Sequence, residues 1–154
     1  TLVPDEPGQL TSDHGWDVPA SKGLLGEVLP QLKQWQVRSS LFLDPVPAMI
    51  DDVQKSGADR IELYTEHYAR VFAKADPEQL TAVLSQYHET ARCARSAGLG
   101  VNAGHDLNLQ NLPDFLQGGL IQEVSIGHAL IVESLELGMN EVLKQYLAIT
   151  RNAA

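Results

Sequence analysis

The sequence predicts an α/β protein built on a parallel sheet, and three observations lead there. From residue 37 onward, short β-branched apolar runs alternate with longer segments whose apolar residues fall at helical spacing. The apolar runs stop at a glycine or at an Asp-Pro pair, and the helical segments open soon after. The connections are long enough to hold a crossover helix, which parallel neighbours need and hairpins do not. Such a chain forms an open doubly wound sheet or part of an eight-stranded barrel. In both, ligands gather at the carboxyl ends of the strands.

The elements follow in order. Leu2 and Val3 form a strand stub, and residues 5–19 make a polar, Gly/Pro-rich connection, long for a strand-to-helix loop. Long strand-end loops often carry function. An amphipathic helix over residues 22–35 leads into a strand over 37–43, closed by Asp44-Pro45. Residues 46–56 place Met49, Ile50 and Val53 at helical spacing and stop at Gly57, and a buried strand follows over 58–65. Asp76 before Pro77 reads as a helix cap with proline in the first turn. The helix it opens runs to about residue 97, with Leu80, Val83, Leu84, Tyr87 and Ala91 on one face. A strand over 99–103, a short helix over 109–117, a strand over 123–126 and a last helix over 129–149 complete the series. Counting the stub, about five parallel strands and about five helices are expected.

The 154 residues suit a single domain with a real core. A net charge of −9 with no basic cluster excludes a nucleic-acid-binding face. The single cysteine, Cys93, leaves no disulfide framework, so a reducing compartment, the cytoplasm, is expected. No apolar run reaches the ~18 residues of a membrane span. His and carboxylates lack an i,i+3 or i,i+4 ligand pair, so no metal is expected, and no cofactor is implied. The chain opens on Thr1-Leu-Val-Pro4 without methionine, which reads as a strand already in progress and as a piece of something longer.

The chemistry concentrates at two strand ends. In Val124-Ser-Ile-Gly-His-Ala-Leu-Ile-Val132 an apolar run stops at Gly127 and a helix begins at His128. Free backbone N–H groups and the positive end of a helix dipole there suit an anion such as phosphate. The competing reading is a plain tight turn. Upstream, Val101-Asn-Ala-Gly-His-Asp106 repeats the layout and sets His105 just past a strand end. Imidazole can give and take protons near neutral pH, so His105 is the candidate acid–base group, against a surface loop histidine. Glu62 sits mid-strand between Ile61 and Leu63, either lining a site or held in a structural ion pair. Thr11 lies in the first long loop. Asp44 reads as a cap or turn residue. His14 and His67 are expected in loops and His88 on a helix face, all solvated.

Six segments taken together resemble one family. They are Leu2-Val-Pro-Asp5, Leu10-Thr-Ser-Asp-His-Gly-Trp-Asp-Val18, Ser40-Leu-Phe-Leu-Asp44, Gly57-Ala-Asp-Arg-Ile-Glu-Leu-Tyr-Thr65, Val101-Asn-Ala-Gly-His-Asp106 and Ile126-Gly-His-Ala129. In order and spacing they resemble pyridoxine 5′-phosphate synthase over essentially the whole chain. The resemblance implies a TIM (β/α)8 barrel, here an incomplete C-terminal part lacking the family's first three strands. It implies a ring-closing synthase of the transferase class. The reaction condenses 1-deoxy-D-xylulose 5-phosphate with 3-amino-2-oxopropyl phosphate to pyridoxine 5′-phosphate, inorganic phosphate and water, in a homo-oligomeric enzyme. Residue by residue, it makes His105 the proton-donating histidine and Gly127 with His128 the phosphate-binding backbone pair. Thr11 and Glu62 become substrate-site residues. Asp106 stands where some members have glycine, which leaves a backbone contact possible. Without the first three strands the isolated chain is expected to be inactive. The alternatives are another phosphate-binding barrel of epimerase or aldolase type, or a non-catalytic half-barrel.

Overall fold

The computed structural model describes residues 1–5 and 7–152. Four strands, β1 (Ser40–Leu43), β2 (Arg60–Tyr64), β3 (Gly100–Gly104) and β4 (Glu123–Ser125), pair in parallel in strictly sequential order. The expected fifth strand is reduced to one residue. Leu2 joins the edge of β1, its N–H donating to the Ser40 carbonyl at 2.8 Å and its carbonyl accepting from Phe42 N–H at 3.0 Å.

Sequential order decides between the two architectures. Right-handed crossovers that all step the same way put every helix on one face of the sheet, whereas a doubly wound sheet reverses and covers both. The strand residues confirm it. Leu41, Leu43, Ile61, Leu63, Val101 and Ala103 are each no more than 1% exposed and join one core with the helices. The opposite face presents Ser40, Phe42, Arg60, Glu62, Tyr64, Asn102, Glu123 and Ser125 in register. A polar row facing inward under a single outer layer of helices is the cross-section of a partial TIM-type barrel.

The helices are α1 (Lys22–Gln34), α2 (Ile50–Ser56), α3 (Glu66–Ala73), α4 (Pro77–Ser96), α5 (Leu112–Phe115), α6 (His128–Leu137) and α7 (Met139–Asn152), with a 3-10 turn at Pro47–Met49. Asp76 caps α4, its side chain accepting from the Glu78 and Gln79 amides, with Pro77 in the first turn. Gly57 closes α2 in the left-handed region at φ 84°. Two expectations need correction. Residues 66–73 are helical, so His67 lies on α3 rather than in a loop. The last helix breaks at Gly138, φ 88°, into α6 and α7.

The aromatic core under β2 and β3 fixes where α3 and α4 sit. Tyr68, Tyr87 and Phe115 pack with ring centroids 4.9 to 6.3 Å apart. Each tyrosine hydroxyl donates to a backbone carbonyl, Tyr68 to Asn111 and Tyr87 to Tyr64, both at 2.6 Å. Burial pushes both phenols above their ordinary range. No helix among the described residues is long and apolar enough to cross a membrane.

Candidate functional site

At the carboxyl end of the sheet a cavity of about 910 Å³ opens between α3, the loop after β3 and the start of α6. Thr11, His105, Asp106, Gly127 and His128 all line it. Three separate loops therefore bring five of the six expected residues to one place. Glu62 stands just behind, on the polar face of β2, 8% exposed, its Oε2 accepting from the Thr1 hydroxyl at 2.5 Å. A Cβ on Gly104 would lie 2.5 Å from Glu62 Oε1, so glycine at that strand end leaves room for the carboxylate.

Thr11 reaches the cavity because its loop is pinned across the end of β1. Gly15 N–H donates to Asp44 Oδ2 at 3.0 Å and Trp16 N–H to the Phe42 carbonyl at 2.9 Å. The approach is so close that a Cβ at Gly15 would sit 2.3 Å from Asp44 N and 2.5 Å from Leu43 Cα. Asp44 is thus a fastener for the loop, a task the reading as a cap or turn residue did not include. The Thr11 hydroxyl ends 3.3 Å from His105 Nε2.

His105 and Asp106 occupy the left-handed region in succession, at φ 93° and 58°. Side-chain-bearing residues there cost roughly 1–3 kcal/mol each and persist only when their surroundings impose it. The imidazole packs edge-on against the Tyr64 ring, centroids 4.9 Å apart. Its Nδ1 is buried without a hydrogen-bond partner; an Asp106 carboxylate oxygen lies 3.3 Å away but outside hydrogen-bond alignment. Nε2 is the ring nitrogen that meets Thr11.

Gly127 precedes the first turn of α6, and no side chain caps that turn. The first amides of the helix are thus left to face the cavity, which Ala129 also lines. A Cβ at position 127 would meet no atom within 4 Å, so packing does not demand glycine. Glycine keeps clear the space over those amides. A helix N-terminus so exposed attracts an anion through its N–H groups and its dipole.

Residues 1–152 match the model of a protein family described as pyridoxal phosphate biosynthesis protein PdxJ. The chain belongs to this family. Similar proteins named pyridoxine 5′-phosphate synthase include one from Albidiferax ferrireducens, 50% identical over 148 residues, covering 96% of this chain and 58% of the relative. Others come from Bacteroides thetaiotaomicron, 46% identical over 95% of this chain and 60% of the relative, and Christiangramia forsetii, 44% identical over 98% and 62%. The chain therefore spans about three-fifths of the length of these PdxJ relatives.

Glu66, Arg70, Asn111 and Ser125 at this cavity were not visible in the sequence as site residues. Glu66 and Arg70 form part of its α3 wall. Ser125 closes it at the end of β4. Thr65 and Asn111, both essentially unexposed, hold the loop that carries His105. A second cavity of about 600 Å³ lies at the amino ends of the strands, lined in part by Lys33, Arg38, Asp59, Arg60 and Arg95. It contains no histidine, and Asp59 is already held by the Ser39 amide and hydroxyl at 2.7 and 2.9 Å.

Proposed function

We propose that this chain is the C-terminal part of the TIM-barrel domain of a pyridoxine 5′-phosphate synthase. The observation that carries the reading is the convergence of Thr11, His105, Asp106, Gly127 and His128 on one cavity at the carboxyl end of the sheet. The two substrates, 1-deoxy-D-xylulose 5-phosphate and 3-amino-2-oxopropyl phosphate, both carry a phosphate. The uncapped amides at Gly127 and His128 hold one of them, and the Asp106 backbone contributes on the neighbouring wall. His105 Nε2 exchanges protons with the condensing substrates as general acid and base, and Thr11 orients both ring and substrate. Glu62, set back on β2, accepts a hydrogen bond from a substrate hydroxyl or amine. The family's remaining strands supply the rest of the acid–base set, so the isolated chain is inactive.

In this reading the enzyme is a cytoplasmic homo-oligomer of the transferase class. The exposed apolar side chains of α6 and α7, including Ile131, Leu135, Met139, Leu143 and Leu147, support the oligomer alone, because they need cover within the completed enzyme.

Inorganic phosphate titrated into the isotopically labelled chain tests the phosphate assignment. Saturable shifts confined to the amides of Gly127, His128 and their cavity neighbours are expected. Shifts elsewhere, or none, overturn it. In the completed barrel, His105→Asn lowers kcat by ~10²–10⁴-fold, the range of general acid–base catalysis. Unchanged turnover removes His105 from the chemistry.

A further inference from the structure

Three consecutive carbonyls at the end of β3 are taken by two buried side chains. The Thr65 hydroxyl is shared between the Gly104 carbonyl, at 2.8 Å, and the His105 carbonyl. The Thr65 N–H also donates to Gly104 O at 3.0 Å. Asn111 Nδ2 donates to the Asp106 carbonyl at 3.0 Å, while its Oδ1 accepts from Asn108 N–H at 2.9 Å. Thr65 is 0% and Asn111 1% exposed, so no water competes for these bonds. The Asn111 backbone is itself fastened, its carbonyl accepting from the fully buried Tyr68 hydroxyl at 2.6 Å.

Thr65 stands at the residue before α3, the place where a threonine usually caps a helix. Its side chain makes no capping bond. The hydroxyl is spent instead on the neighbouring strand end, where His105 takes φ 93° and Asp106 φ 58°. Those torsions decide where the imidazole points, because Cβ direction follows the backbone.

We propose that Thr65 and Asn111 are positioning residues that hold the His105 backbone in the left-handed region, aiming Nε2 at Thr11 and the cavity. The inference rests on the acid–base reading of His105 and gives that reading its structural cause. Thr65 touches no part of the cavity surface and acts only through the loop.

The test compares Thr65→Val, which keeps shape and loses the hydroxyl, with Thr65→Ser, which restores it. Thr90→Val is the control: Thr90 is as deeply buried, and its hydroxyl donates to Gln86 O at 3.0 Å within α4. In the labelled chain, Thr65→Val shifts or broadens the His105 ring signals and the amides of residues 105–107. Thr65→Ser and Thr90→Val leave them in place. Inorganic phosphate still shifts Gly127 and His128 in all three, so failure of the phosphate assignment and failure of the clamp are read separately. In the completed barrel Thr65→Val lowers kcat by at least ~10-fold with KM changed less than ~3-fold, since misplacing a catalytic group by about 1 Å can cost ~100-fold. Asn111→Asp, which keeps the acceptor and loses the donor, behaves like Thr65→Val. His105 signals unmoved in a folded Thr65→Val protein, Thr65→Ser failing to rescue, or KM rising as much as kcat falls would each overturn the proposal.

Discussion

Arg38 and Glu123 meet in a two-pronged ion pair, Nη1 to Oε1 at 2.8 Å and Nη2 to Oε2 at 2.9 Å, from opposite edges of the sheet. Glu123 pairs through Asn102 and Glu62 to the level of Phe42, three strands away and four residues beyond Arg38. A flat sheet continued straight would hold the two backbones roughly 19 Å apart, about 14 Å across three spacings and about 13 Å along the strand. Two side chains cannot span that. The sheet therefore coils over its polar face, and Arg60 on that face lies 3.4 Å from the same Glu123 carboxylate. This curvature points the strand ends inward and lets the first loop, α3 and the loops after β3 and β4 share one cavity.

Glu123 serves two arginines that differ in exposure, and the prediction uses the difference. The Arg38 side chain is 58% exposed and that of Arg60 only 12%. Arg38→Ala costs about 0.5 kcal/mol or less, as solvated pairs do. Glu123→Ala costs about 1–2 kcal/mol, because it also leaves the more buried guanidinium without its counter-charge. Urea unfolding midpoints at low salt check the order, and equal costs would show that Arg60 does not depend on Glu123.

Two glycines near the cavity respond differently to alanine. At Gly15 the new Cβ meets backbone at 2.3 to 2.6 Å, which cannot yield. Gly15→Ala pulls the first loop off Asp44, costs about 3 kcal/mol or more, and carries Thr11 away from His105. At Gly104 the nearest obstacle is the Oε1 tip of Glu62, a flexible end, with Ser125 Cβ at 3.0 Å. Gly104→Ala costs about 1 kcal/mol and displaces the Glu62 carboxylate, so its kinetic effect resembles that of Glu62→Gln. Thermal unfolding separates the two variants, and a mild Gly15→Ala would refute the close approach.

What could be read in advance, and what could not, follows from range. Asp76-Pro77, Gly57 and Gly127-His128 are local signals, complete within a turn, and each marks the boundary expected of it. Helix α3 is only eight residues long, and the Thr65 hydroxyl before it serves β3, forty residues on, instead of capping it. Gly138 was passed over because apolar residues continue at helical spacing on both sides of it. The convergence on the cavity was legible as strand-end chemistry, since parallel strands send every carboxyl end the same way. The fastening of the loops by Asp44, Thr65 and Asn111 was not, because each of these side chains works on backbone distant in sequence.

Asp59 lends the fold an acid-sensitive bond. Hydrogen bonding from the Ser39 amide holds its carboxyl below the ordinary range, against a desolvation effect that raises it, and the Ser39 hydroxyl, Lys33 and Arg38 add to the lowering. A depressed folded-state pKa gives stability that is present above the unfolded value and lost as pH falls through the folded one. The contribution is therefore intact at neutral pH and fades below about pH 4. In Asp59→Asn the acid limb of the stability curve is shallower than in the parent. Urea midpoints from neutral pH down to about pH 2.5 check it, and parallel acid limbs would sink the assignment.

Glu133 on α6 ties that helix to the histidine loop and to α7. Its Oε1 accepts from Leu109 N–H at 3.0 Å and its Oε2 from the Tyr146 hydroxyl of α7 at 2.5 Å. Burial, then the Glu133 carboxylate, pushes the Tyr146 phenol above its ordinary range, so the hydroxyl stays a donor at any working pH. Tyr146→Phe leaves one carboxylate oxygen of a half-buried group unpaired and costs about 1–2 kcal/mol. Glu133→Leu removes both bonds and frees Leu109 N–H, so it additionally loosens the loop from His105 to Asn111. Hydrogen exchange at residues 106–111 therefore accelerates in Glu133→Leu more than in Tyr146→Phe, even where the two lose similar global stability. If both variants accelerate exchange in proportion to their unfolding free energy alone, the link between α6 and the histidine loop does not exist.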